Sequence, residues 1–246
     1  MDEFLDIQTA FVIRLPDGTS AFLRNLFPNG VAITETVIVS WFVMGLLIGL
    51  SFALTRNLRQ VPKGAQALLE TAIEFLTNFS KNQFGKFSTV FAPYVGTLFL
   101  FLLFANIVGV LTPIEAFGFK PPFEIKPPTR DINVTASLAC LTILLVIACN
   151  IKSKGVFGWL KHFLRPVPFM LPFNILEYGT RVLSLALRLF GNILGGLILM
   201  HLLEGLVPVA MPMALSLYFD FFDGFIQAAI FTFLSVLYIS EATRKE

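Results

Sequence analysis

Charge is scarce in this sequence: Asp, Glu, Lys and Arg make up only 14% of its 246 residues, where an ordinary soluble domain carries roughly 25%. A chain so poor in charge cannot clothe itself in a hydrated surface. Its formal net charge of +2 is too small to draw in nucleic acid or another polyanion. Cysteine is nearly absent as well. Cys140 and Cys149 lie nine residues apart in one apolar segment, which on a helix sets them ~180° apart and excludes a disulfide or a shared metal. The two histidines, His162 and His201, have no ligand spacing around them. No metal, no cofactor and no catalytic group of an enzyme is therefore expected. The opening MDEFLDIQTA is acidic and has no basic stretch leading into an apolar core, so no cleavable signal peptide is expected.

What is present is apolar. Hydrophobic residues make up 56% of the chain, 28 of them Phe, and the mean hydropathy is +0.78. The expected class is an all-α integral membrane protein. Residues 1–33 read as a mixed, irregular extracytoplasmic segment, and 34–246 as the membrane domain. Three runs, 37–54, 94–111 and 132–151, are long enough to span a bilayer core of about 30 Å. Two further runs, 171–203 and 211–240, would approach 45 to 50 Å as helices at ~1.5 Å per residue. Such helices must tilt, bend or lie partly along the membrane, and EGLVP at 204–208 is the expected turn between them. The expectation is thus three ordinary spans and a C-terminal hairpin of two long tilted helices.

Residues 62–88 differ in pattern. Ala65, Leu68, Leu69, Ala72, Leu76 and Phe79 share one helical face, with Gln66, Glu70, Glu74, Asn78 and Lys81 opposite. An amphipathic interfacial helix is expected, with docking against a partner subunit as the alternative. Lys and Arg fall unevenly across the loops: eleven lie on the side of the chain end and five on the other. That asymmetry expects a cytoplasmic C-terminus and an N-terminus outside.

Arg188 is the anomaly. It stands alone in charge between Val182 and Met200, and at a lipid-facing helix centre Arg costs roughly 2.5 to 3.5 kcal/mol on insertion scales. Its side chain is short for the ~9 to 18 Å that separate it from the ends of its apolar run. At 100° per residue, Glu177, Arg181, Ser184, Arg188, Asn192 and Gly195 form one stripe. The last segment answers with Ser216, Asp220, Asp223, Gln227 and then Ser235 or Tyr238. Charged and polar stripes inside a membrane normally mark ion or proton paths. The simpler reading is a structural salt bridge from Arg188 to Asp220 or Asp223. Gly191, Gly195 and Gly196 weigh against it, because they allow another helix to approach closely. His201 lies off the stripe, and is expected as either a buried polar residue or a proton carrier.

These residues carry a family resemblance. LSLALRLFGNILGG, followed by GFIQAAIFTFLSVLYIS, resembles subunit a of the F-type ATP synthase membrane sector. YVGTLFLFLLFANIVGVLTP, PTRDINVTASLACLTILL and VPKGAQALLETAIEF resemble its second span, its third span and the stretch after its first, in bacterial and chloroplast members. The resemblance covers about residues 35–240. It implies a stator that passes ions to a rotating ring of c subunits, alongside peripheral-stalk b subunits and the rest of the synthase. It implies a bacterial cell membrane as the location, with the thylakoid as alternative. It also matches Arg188 to the family's essential arginine, Asn192 to its nearby asparagine and Gln227 to the glutamine facing that arginine. Asp220 matches a position that is His or Glu in several members, and some members place an acid where Glu177 stands. Leu197 departs from the pattern, since many relatives have Glu or His there, lining the access channel. Asp220 and Asp223 are the obvious replacements.

Two other classes compete: a self-contained secondary transporter built on an Arg–Asp pair, and a non-transporting scaffold. No internal repeat is visible and no carboxylate cluster is adequate for a complete transport site, while a scaffold has no need of matched stripes. The coupling ion is expected to be a proton, with sodium as the alternative.

Overall fold

An apolar run in lipid can satisfy its backbone polar groups only within itself, which means as a helix. The computed structural model of the chain describes residues 9–13, 31–56, 58–108, 127–163, 169, 171–204 and 217–243, and they are overwhelmingly helical. A two-stranded antiparallel ladder, β1 (Thr9–Ile13) with β2 (Val31–Thr34), leads into helix α1 (Glu35–Thr55). Then come α2 (Ala65–Phe84), α3 (Ser88–Ile107), α4 (Ile132–Lys154) and the short α5 (Val156–Phe163). The chain closes with α6 (Leu171–Glu204), a π-helical segment (Leu217–Asp223) and α7 (Gly224–Thr243).

Among the described residues, four helices are long and apolar enough to cross a membrane: Glu35–Thr55, Ser88–Ile107, Ile132–Lys154 and Phe221–Thr243. The 34 residues of α6 make it ~51 Å long, well beyond a bilayer core. The protein is an all-α integral membrane protein.

Several boundaries differ from the sequence reading for identifiable reasons. The segment 1–33, read as irregular, contributes both strands: alternating apolar residues around Phe11 and Ile33 pair across the ladder. The second span begins at Ser88 rather than 94, with Pro93 inside the helix. Pro93 lies in the second turn of this helix, and spans tolerate a proline where neighbouring groups re-satisfy the backbone. Its expected end at 111 lies outside the described residues, as do 211–216 of the last segment. The helix expected over 62–88 is shortened at both ends by glycines, Gly64 at φ 62° and Gly85 at φ 55°, a conformation that side chains resist.

The helices are arranged around α7, which contacts α2, α3 and α4; α6 lies along the outside of α4, and α1 along α3. Leu98 and Leu102 of α3, Ala139 of α4, Leu185, Ala186 and Leu189 of α6, and Ala228 and Phe231 of α7 form one buried cluster. A second cluster joins Phe84, Val95, Val146, Val236 and Ile239. The amphipathic face of α2 is used only in part. Leu76, Ser80 and Phe84 are buried against the bundle, while Leu68 and Phe75 are 75% and 70% exposed. The helix therefore packs on its own chain with one edge and leaves an apolar edge outward.

Lipid tails are as apolar as Leu, so burial alone does not bring membrane helices together; close contact and interhelical hydrogen bonds must. Asn106 illustrates both. Its amide donates to the Gly224 carbonyl at 3.0 Å, and its oxygen accepts from the Thr129 hydroxyl at 2.7 Å. This ties α3 to the start of α7 and to the turn that precedes α4. Nearby, Asp131 caps α4 by accepting from the Asn133 amide at 2.8 Å, and it accepts from the Thr36 hydroxyl of α1 at 3.0 Å. At mid-helix, Thr142 of α4 bonds Tyr94 of α3 and Ser235 of α7, each at 3.3 Å.

The Asn106 tie requires glycine at its partner position. A β-carbon on Gly224 would stand 2.9 Å from the Asn106 β-carbon, a contact that no side-chain rotation relieves. We predict that Gly224→Ala forces α3 and α7 apart and lowers stability by about 1 to 3 kcal/mol, measured as the unfolding free energy of the purified chain in detergent micelles.

Candidate functional site

The polar stripe of α6 divides once the helix is folded. Arg181 is half-buried and turns toward α7: its Nη2 donates to Glu177 at 2.6 Å and to Glu241 at 2.8 Å, and its guanidinium lies 4.6 Å from the Tyr238 ring centroid. Asn192 also turns inward, where its amide donates to the Asp223 carboxylate. Ser184, Arg188, Gly191 and Gly195 remain exposed on the outer side of the same helix, beside Leu183 and Leu187. Nothing lies within 4 Å of where a β-carbon would stand on Gly191 or Gly195.

The simple salt-bridge explanation of Arg188 therefore gains no support from Asp223, which bonds Asn192 instead. Among the described residues Arg188 has no ion pair or hydrogen-bond partner, and it is exposed. A charge that needs compensation in hydrocarbon thus points away from its own bundle, in the middle of a face lined by small residues.

The two cross-helix ties give α6 and α7 an antiparallel register. Arg188 lies four residues before Asn192, and Gln227 lies four residues after Asp223. Both are one turn from the Asn192–Asp223 tie, and Gln227 is half-buried. The ties also order the electrostatics. Arg181 is paired with two carboxylates, whereas Arg188, seven residues or ~10.5 Å along the axis, has no ion pair among the described residues.

The stripe expected on the last segment can be followed from Asp223 onward; Ser216 and the Asp220 side chain lie outside the described residues. Leu217–Asp223 is π-helical, with i→i+5 bonding that shifts the phase of residues preceding Gly224 relative to α7. Asp220 is in this π-helical segment and His201 is in α6, but their side chains, and that of Leu197, lie outside the described residues. Ser235 faces inward to Thr142 rather than along the stripe; Tyr238 is the residue that continues it. One participant was missed. Glu241 follows Gln227 by fourteen residues, close to four helical turns, so extending the stripe to the chain end would have found it. Asn106 had only a weak signal, a lone polar residue in an apolar span.

The structure thus combines a cation exposed on an outward face with no ion pair among the described residues, a half-buried amide–carboxylate pair one turn away, and a cation paired with two carboxylates two turns the other way. The family model of the ATP synthase A chain matches residues 37–240. The sodium-ion-specific ATP synthase subunit a of Propionigenium modestum is 39% identical over 215 residues, spanning 85% of this chain and 74% of that relative. The family match runs from α1 to the last turn of α7 and includes both helices that carry the stripe, and the chain belongs to the ATP synthase A chain family.

Proposed function

We propose that this chain is the ion-translocating stator subunit of an F-type ATP synthase in a bacterial cell membrane, N-terminus outside and C-terminus cytoplasmic. Its α6 faces a ring of c subunits, and peripheral-stalk b subunits hold it against rotation. One observation carries this reading: Arg188 is exposed beside Ser184, Gly191 and Gly195 and has no ion pair among the described residues, which suits a counter-charge supplied by another chain. A carboxylate of the rotor that travels through lipid has to be neutral there, because a bare charge is very costly. A fixed positive charge within ~4 to 6 Å favours the ionised form instead. At Arg188 the carboxylate gives up its ion into one half-channel, and a following carboxylate is loaded from the other.

Arginine suits this position because it does not lose its proton at physiological pH, whereas lysine can when desolvated. The two half-channels stay separate as long as the charge between them stays fixed. Gln227, like Arg188 one turn from the Asn192–Asp223 tie, can hydrogen-bond without cancelling the charge. Asn192 takes part through Asp223, and Ser184 continues the face one turn away. Asp220 and Asp223 line the inlet in place of the acid or histidine missing at Leu197, and Glu177 stands at the outlet. Carboxylates suit a proton or a sodium ion equally, and the Propionigenium modestum relative bears the sodium-specific name. Each ion crossing yields about 2.3 kcal/mol per 100 mV of membrane potential, which is lost if the gate leaks.

Arg188→Ala is expected to abolish ATP-driven ion uptake by vesicles carrying the assembled complex, whether proton or sodium uptake is read; unchanged uptake removes the gate. Gly191→Leu tests the face itself. It meets open space and gains helix propensity of about 1 kcal/mol, so the isolated chain should unfold no more easily. Uptake by the complex should nevertheless fall sharply, because the added side chain occupies the position of the partner helix. Replacing both Asp220 and Asp223 with Asn should slow synthesis driven by an imposed ion gradient, and full synthesis would exclude them from the inlet.

A further inference from the structure

The passage of ions uses one arginine of α6, but the helix carries two. Arg181 is held by Glu177 of its own helix and by Glu241 and Tyr238 of α7, and its side chain is only 20% exposed. The backbones of α6 and α7 come close at few places, α6 being seated on α4 instead. Side-chain bonds cross between the two helices at Asn192–Asp223 and at Arg181–Glu241. Arg188 lies between these points, four residues from one and seven from the other.

We propose that Arg181 is a positioning residue: by binding Glu241 and Tyr238 while Glu177 braces it, it fixes the register of α6 against α7 and so the depth of Arg188. The proposal rests on the gate reading of Arg188 given above. A single tie leaves the helices free to pivot about it, whereas two ties about three turns apart along α6 do not. The tolerance is narrow. Slipping one turn displaces Arg188 by ~5.4 Å, enough to leave the ~4 to 6 Å range within which it ionises a carboxylate. An isolated exposed ion pair would hold such a register weakly. Here one guanidinium takes two carboxylates and a ring face together, and the acids also keep it from competing with Arg188 for the rotor charge.

The test uses the whole synthase in vesicles, with Cys140 and Cys149 changed to Ser and spin labels on Ile175→Cys and Phe233→Cys, both exposed positions, the first on the side of α6 away from Arg188. Arg181→Glu should shift or broaden the distance between the labels by ~5 Å. It should also lower ATP-driven ion uptake by about 10- to 100-fold, the scale of small misplacements in catalytic groups. Adding Glu241→Arg reverses the pair and should restore both readouts, which a residue needed only for folding would not do. An unchanged label distance in Arg181→Glu overturns the proposal, as does lost uptake that the reversed pair fails to recover. If Arg181→Glu does not assemble, Glu241→Gln cuts only the bond to α7 and should give the same broadening; an unchanged distance there overturns the proposal too. If Arg188→Ala pumps normally while Arg181→Glu still moves the labels, the gate reading fails and the register role of Arg181 stands.

Discussion

An exposed guanidinium on an otherwise apolar stretch of helix is the constraint on which the rest of the structure depends. Arg188 is held by no group of its own bundle among the described residues, yet the helix that bears it is anchored at several points. Leu185 and Leu189 are buried toward α4 and α3. Asn150 of α4 donates to the Tyr178 hydroxyl of α6 at 3.3 Å. Asn192 and Arg181 reach across to α7. The chain thus keeps an exposed charge in place by anchoring the backbone beneath it. On the proposed function the charge is left to a carboxylate of another chain, for which a charge satisfied internally would be useless.

The rest of the bundle supplies a rigid support by means suited to lipid. Several helix pairs are joined by polar bonds: Asn106 to Gly224, Asp131 to Thr36, Thr142 to Ser235, and the Ser240 hydroxyl to the Gln83 carbonyl at 2.9 Å. Such bonds are modest singly, about 1 to 2 kcal/mol in model peptides, but they are directional, and they fix where along its length each helix meets its neighbour.

Much of this was legible in the sequence, because in membranes the period of apolar residues and the rarity of charge leave few alternatives. The helix positions followed from run length, and Arg188 stood out as the one charge in nineteen residues. The split of its stripe was not legible. Helical projection assigns Arg181, Arg188 and Asn192 to one face, but it cannot say that α7 covers only part of that face. The π-helical turn was equally hidden, since no composition rule separates i→i+5 from i→i+4 bonding over Leu217–Asp223. Gly224 is explained only by Asn106, 118 residues away in sequence. Interactions between distant segments are where reading by period ends.

That π-helical turn separates two stretches of the last helix that would otherwise be geometrically bound. In an unbroken α-helix, inserting or deleting a residue before Gly224 would rotate everything preceding it by one fixed step relative to α7. A turn that already bonds i→i+5 has room to gain or shed a residue and return to the ordinary ladder. The segment carrying Asp220 can therefore gain or lose a residue while Tyr238 and Glu241 keep their alignment with Arg181 of α6. One helix then joins a stretch that tolerates changes of length to a stem whose phase is fixed.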